Sequence, residues 1–252
     1  RACFSRSVKR ATRPLGQVAT TNLLAEFIDT SLAVVWLKEP IAERVARNLS
    51  RFGVPQVLCA DPLPPPSRHA ADHLLDTLKP LGIVGTDAAP RIALSAQESA
   101  RADAFWTTYD LAAKRVVAMH IGSGGARKRW PHERFAALAE KLAAQDNMRV
   151  LWIEGPAEEN SQVPNTNSQL PTPNFQPPIS HLHSLISPPL IDLAAILARV
   201  SLYVGNDSGI THLAAALGVP TIALFGPTDP AEWGPRGERV TIVRSKDGTM
   251  EG

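Results

Sequence analysis

Two short polar stretches carry residue types that could bind and polarise a phosphorylated ligand. The first runs His120-Ile-Gly-Ser-Gly-Gly-Ala-Arg-Lys-Arg-Trp-Pro131. Glycines at 122, 124 and 125 leave backbone N–H groups unobstructed, Ser123 adds a hydroxyl and Lys128 a mobile positive charge, a set suited to a diphosphate. The stretch matches neither G-x-x-x-x-G-K-[ST] nor the spacing of G-x-G-x-x-G, and a plain tight turn accounts for its glycines equally well. The second runs Gly205-Asn-Asp-Ser-Gly-Ile-Thr-His212. Asp207 or Ser208 at a helix start can simply cap it. Capping does not account for His212, which falls in the first helical turn, where its ring can face the same crevice as the open N–H groups. A lone histidine on a helix is also an ordinary structural residue.

The elements around these stretches decide whether they meet. A strand over Val116–His120 leads into the first and a helix over Trp130–Ala144 follows, with Pro131 near its start, where a missing N–H costs nothing. Strand Leu202–Val204 leads into the second, and helix Ile210–Leu217 follows. A loop that leaves a strand and opens a helix is where phosphate meets a helix N-terminus. Further apolar runs at Arg149–Ile153, Thr221–Phe225 and Val240–Val243, with a helix over Leu190–Arg199, complete an alternating pattern that implies a parallel sheet covered on both faces. The fold class is therefore a doubly wound α/β domain.

Upstream, Leu32–Leu37 and Val57–Ala60 read as strands around a helix at Pro40–Phe52 that ends at Gly53. A helix over His69–Leu81 is closed by Gly82. Residues 83–113 read as a connector with a brief strand at Arg91–Leu94 and a helix over Ala96–Tyr109 capped by Ser95. The expected division is a partial N-terminal domain over 1–112 and a ligand-binding domain over 113–252. Residues 160–189, rich in Pro, Asn, Ser and Gln, read as a mobile insertion dispensable for the fold. Its His181 and His183 lack a neighbouring carboxylate or thiolate, so no metal site is expected.

Composition excludes several classes. Lys and Arg total 26 against 24 Asp and Glu, a net charge of +2, so no general field for nucleic acid or anionic membrane exists. Cys3 and Cys59 show neither disulfide nor zinc spacing. No run approaches the roughly 18 apolar residues of a membrane span. A soluble, cytoplasmic protein with at most peripheral membrane contact is expected. The chain opens on Arg1 and holds no acid before Glu26, and few elements follow the last strand. Both ends are expected to be cut from a longer protein.

Three segments carry a family resemblance: HIGSGGARKRWPHERFAALAEKLA, WIEGPAEE and DLAAILARVSLYVGNDSGITHLAAALGVPTIALFGPTDPAEWGP. The combination of K-x-W-P, D-S-G-x-x-H and F-G-P-T-D-P in this order resembles glycosyltransferase family 9, which includes the ADP-heptose:lipopolysaccharide heptosyltransferases. The likeness runs over residues 114–245, interrupted by the insertion, and is faint over 32–82.

That resemblance implies a GT-B architecture, with the lipopolysaccharide-core acceptor on the N-terminal domain and ADP-heptose on the C-terminal one. It implies inverting, metal-independent transfer of heptose with no cofactor. Carried over residue by residue, Ser123, Gly124, Gly125 and the catalytic Lys128 fall where the family grips the diphosphate. Asp207, Ser208, Gly209 and His212 fall where it holds sugar and phosphates, and Glu159 where it sets an acid against the ribose. The resemblance also implies an aspartate base after the first N-terminal strand. No segment before residue 114 resembles that loop, so this chain is expected to bind nucleotide without transferring sugar, with Asp29, Asp61, Asp72 and Asp76 as the fallback bases. Two other readings share these loops: a GT-B enzyme for a different nucleotide sugar, and a non-catalytic nucleotide-binding module. A dinucleotide-dependent oxidoreductase is disfavoured because no acid follows a G-x-G-x-x-G turn at the expected distance.

Overall fold

A computed structural model describes residues 29–85, 89–155, 182–186 and 188–251. The chain divides into two compact units, Arg1–Leu63 and Pro64–Gly252. The expected boundary between 112 and 113 thus marks the start of the main sheet, whereas the edge of the compact unit lies at 63 and 64.

The smaller unit is a strand-helix-strand: β1 (Leu32–Trp36), α1 (Ile41–Arg51) and β2 (Gln56–Ala60), with β1 and β2 parallel and Leu32 opposite Gln56. Val35, Ala42 and Val54 form its buried centre. The chain turns from α1 to β2 through Gly53, whose φ of +91° is a left-handed conformation that a side chain disfavours.

The larger unit opens with α2 (Ala70–Asp76) and a short 3-10 turn at Lys79–Leu81 instead of one helix over 69–81. Pro80 contributes to the break, since it has no N–H to bond the Asp76 carbonyl and so cannot continue an α-helix. The segment 91–94 is not a strand: the Ile92 N–H bonds the Ala216 carbonyl, supplying a partner for the end of another helix. The single helix expected over 96–109 is two, α3 (Ala96–Ala100) and α4 (Asp103–Thr108), and the break turns Ala102 and Trp106 into the core. Ser95 caps α3 in a reciprocal capping box with Glu98.

Six parallel strands follow: β3 (Arg115–His120), β4 (Met148–Glu154), β5 (Leu182–Ile186), β6 (Leu202–Asn206), β7 (Thr221–Phe225) and β8 (Val240–Arg244). Their order in the sheet is β5-β4-β3-β6-β7-β8. Helices α5 (His132–Ala143), α6 (Leu190–Leu197), α7 (Gly209–Ala216) and α8 (Pro230–Trp233) complete the unit. Alternation along the strands sorts side chains into two cores. Val117, Met119, Val150, Trp152 and Val204 pack against Phe135 and Ala139 of α5. Val116, Ala118, Leu151, Ile153 and Tyr203 pack against α6 and Ala214 of α7. This is a Rossmann-like, doubly wound parallel sheet.

One expectation is overturned within the segment 160–189. Residues 182–186 are the edge strand β5, paired with β4 from Val150↔Leu182 to Glu154↔Ile186. Leu185 packs on the core. Strand residues were masked in the sequence by the prolines around them, and five backbone pairings are lost if this part is replaced by a flexible loop. The remainder of the segment to residue 181 lies outside the described residues. Among the described residues, no helix is long and apolar enough to cross a membrane.

Candidate active site

Strand order reverses between β3 and β6, the central pair of the sheet. In doubly wound sheets the crevice outside the carboxyl ends of the strands at such a reversal is the ligand site. Both polar stretches emerge there. Asn206, the last residue of β6 and fully buried, ties them together. Its Oδ1 accepts the Trp130 N–H at 2.9 Å and its Nδ2 donates to the Ile121 carbonyl at 2.7 Å. The Trp130 ring stands edge-on to Phe135 at 4.9 Å, which anchors the far end of the first loop at the start of α5.

Asp207 is the hub of the site. Its N–H bonds the Leu224 carbonyl and its own carbonyl accepts the Ser123 hydroxyl at 2.7 Å. Its carboxylate accepts from Lys128 Nζ and Thr228 Oγ1, each at 2.8 Å. The 3-10 turn Ala126–Lys128 brings the ammonium into reach. Arg129 donates from Nε and one terminal nitrogen to the Ser123 carbonyl, at 3.1 and 3.0 Å. A cation, a carboxylate and two sets of loop amides thus share one crevice.

The expected site residues differ in where the structure puts them. Lys128, Asp207 and Ser123 are joined in this network, in which the buried Ser123 hydroxyl donates to the Asp207 carbonyl and so links the two loops, whereas Ser208 bonds Thr211 and His120 instead. Gly124, Gly125 and Gly209 border open space: a Cβ on Gly124 or Gly209 would meet nothing within 4 Å, and one on Gly125 only the Lys128 Cγ at 3.9 Å. Glu159 lies outside the described residues. His212 is half-buried and lies within the electrostatic reach of Asp207, His69 and Lys128. Burial is the largest influence on it and holds its pKa below the ordinary histidine value. His183 lies on β5, its ring 4.6 Å from that of Tyr109.

Sequence reasoning passed over four contributors. Asn206 carried a signal, a polar residue ending an apolar strand. Thr228 lies inside F-G-P-T-D-P. His69 accepts the Ala71 N–H on Nδ1 and bonds the Gly234 carbonyl through Nε2 at 2.9 Å, holding the C-terminal end of the helix that follows the Thr228 loop; nothing local in the sequence announces that. His120, the last residue of β3, contacts Ser208 Oγ through Nδ1 at 3.3 Å and is 5% exposed.

Burial, with Arg129 adding to it, pushes the His120 pKa from 6.5 down to about 4. The unfolded chain therefore takes up this proton near pH 6.5, and the folded chain only near pH 4. Between those values the unfolded state binds more protons, so stability is full above pH 6.5 and is lost as pH falls toward 4. His120 alone accounts for a loss of about 3 kcal/mol, and His212 acts in the same direction. The expected result is a melting temperature that drops more steeply between pH 7 and pH 4.5 in the native chain than in His120→Asn, measured by calorimetry. Parallel pH dependences in the two proteins contradict this assignment.

Comparison with known proteins shows the family. The model of glycosyltransferase family 9 (heptosyltransferase) matches residues 65–251. The chain belongs to glycosyltransferase family 9. A lipooligosaccharide heptosyltransferase 2 of Haemophilus influenzae is 33% identical over 126 residues, which is 50% of this chain and 35% of that protein. The match thus spans about a third of the relative's length. Among solved structures, a family 9 glycosyltransferase of Veillonella parvula superposes with a TM-score of 0.68 at 24% identity, covering 90% of this chain and 66% of that one. The ADP-heptose LPS heptosyltransferase II of E. coli gives a TM-score of 0.63 at 20% identity, covering 90% and 72%. At such identities the superpositions speak for the fold.

Proposed function

We propose that the larger unit of this family 9 chain binds ADP-heptose, and that the whole protein transfers the heptose to a lipopolysaccharide-core acceptor in the cytoplasm, with inversion and without a metal. The observation that carries this reading is the meeting of Lys128, Asp207 and the open glycines of both loops at the reversal of strand order. The diphosphate lies over the glycines, within reach of Lys128 and the first amides of α7, while the Asp207 carboxylate accepts from sugar hydroxyls. As an acceptor oxygen displaces ADP, charge builds on the diphosphate, where a preset ammonium and helix amides stabilise it. The names of the relatives, heptosyltransferases of lipopolysaccharide and lipooligosaccharide, support heptose and this acceptor.

The acceptor oxygen also needs a base. Hydrogen bonding to Arg236 holds the Asp72 carboxyl below its ordinary range, and Lys79 and Arg68 do the same to Asp76, so both are poor bases. The base in this reading lies elsewhere.

Titration calorimetry with ADP, UDP and NAD tests the donor class: ADP binding is expected, preference for UDP points to a different nucleotide sugar, and NAD binding alone overturns the reading. Gly209→Ala sharpens the test. Gly209 heads α7 in open space without a left-handed φ, so alanine there raises helix stability by about 0.5–1 kcal/mol. Its methyl group also stands where the diphosphate approaches the amides, and ADP affinity is expected to fall by about tenfold or more. A variant that is more stable and binds ADP undiminished removes the phosphate from this helix.

A further inference from the structure

His120 is buried beneath the second loop and has no place in the chemistry described above, yet it touches Ser208, a residue of the proposed donor site. The hydrogen bonds around Ser208 restrict where each proton can go. Thr211 Oγ1 donates to the Asn206 carbonyl. Thr211 therefore only accepts from its other partners, so the buried Tyr203 hydroxyl, 3.1 Å away, is the donor in that pair. Ser208 Oγ accepts the Thr211 N–H at 3.4 Å, which caps α7. It also lies 3.2 Å from Thr211 Oγ1 and 3.3 Å from His120 Nδ1. One proton on Ser208 must serve whichever acceptor is offered.

We propose that His120 is a positioning residue for the diphosphate: it carries its single proton on Nδ1 and donates to Ser208 Oγ, which frees the Ser208 proton for a phosphate oxygen. With His120 and the Thr211 amide filling its lone pairs, Ser208 rests its proton on Thr211 when the crevice is empty and turns it toward an anion when one arrives. The opposite tautomer, bare at Nδ1, would draw that same proton inward and present the ligand with a lone pair. The positive Arg129 nearby disfavours a second proton on the ring, and burial acts in the same direction, so the imidazole stays neutral. The inference rests on the donor-site reading and adds the group that sets the direction of one donor within it.

The test combines binding, coupling and tautomer. Asparagine places an amide where Nδ1 stands, whereas glutamine reaches the Nε2 side. His120→Asn is therefore expected to keep ADP affinity within about threefold, and His120→Leu and His120→Gln to lose about tenfold, the scale of one hydrogen bond to a charged group. In a Ser208→Ala background the same replacements are expected to cost nothing more, because the effect runs through Ser208. Nitrogen NMR of the native chain is expected to show the Nδ1–H tautomer, which a packing role alone would not require. Undiminished ADP affinity in His120→Gln, an independent loss in the Ser208→Ala background, or an Nε2–H ring overturns the proposal. If His120→Leu fails to fold, the asparagine and glutamine pair decides. If the native chain binds no ADP at all, the donor-site reading fails instead, and the NMR tautomer still judges the His120 assignment.

Discussion

Lys128→Ala in the full-length protein is expected to lower kcat by about 100-fold. Departure of ADP leaves charge on the diphosphate, and the ammonium of Lys128 is the mobile cation of the first loop. Asp207 holds it in place at 2.8 Å before a ligand arrives, so little reorganisation remains for the reaction itself. Arg129 does not replace it, since its guanidinium is bound to the Ser123 carbonyl. The amides of α7 remain, which is why the loss is partial. Stability should also fall, because the Asp207 carboxylate, 8% exposed, loses its cation, although it keeps the Thr228 hydroxyl and the Lys128 side chain is itself 36% exposed. Lys128→Arg is expected to recover only part of the rate, because a planar fork does not reproduce a compact charge at the end of a flexible stem. Steady-state release of ADP together with melting curves separates the two effects. An unchanged kcat in Lys128→Ala removes this residue from the mechanism.

The largest effect on stability is expected at Asn206. Its side-chain amide is the cross-link between the two loops, and Asn206→Ala leaves the Trp130 N–H and the Ile121 carbonyl without their partner in a protected site. Each orphaned group costs about 1–3 kcal/mol, so a combined loss of about 2–4 kcal/mol is expected after partial access of water. Asn206→Asp keeps the acceptor for Trp130 but sets a carboxylate against the Ile121 carbonyl, and should be no better than alanine. Urea denaturation measures both. Asn206→Ala with an unchanged midpoint would show that the loops hold their positions independently of this residue.

These two residues also show how much of the site could be read in advance. Lys128 could be singled out as a cation among glycines at a strand-helix junction, but a tight turn or a helix cap explained both loops equally well, and the roles expected of Lys128, Asp207, Ser208 and Gly209 came from the family resemblance. Asn206 lay in the same stretch but its task was hidden, since both of its partners are backbone groups some 80 positions earlier. His120 and His69 were hidden for the same reason. A buried imidazole on a strand and a histidine before a helix look alike in sequence, and only packing shows that one lies beneath Ser208 while the other holds the Gly234 carbonyl.

In the fold, errors fell where local pattern competed with tertiary partners. The tetrapeptide 91–94 has the apolar content of a strand but gives its N–H to the end of α7. Residues 182–186 sit within a polar, proline-rich stretch, yet the exposed edge of β4 recruits them into the sheet because backbone pairing makes little demand on side-chain pattern.

What the sequence determined by itself was the alternation of strand and helix, the placing of both polar loops after strands, and the family, since these depend on periodicity and on residues close together in the chain. Only the tertiary structure decided that β3 and β6 lie side by side, that Lys128 pairs with Asp207, that Ser123 spends its proton on the opposite loop, and that His120 meets Ser208. Each of these is a contact across some 80 residues, and such a contact is set by sheet order and by the need to satisfy buried polar groups, neither of which leaves a mark at one place in the chain.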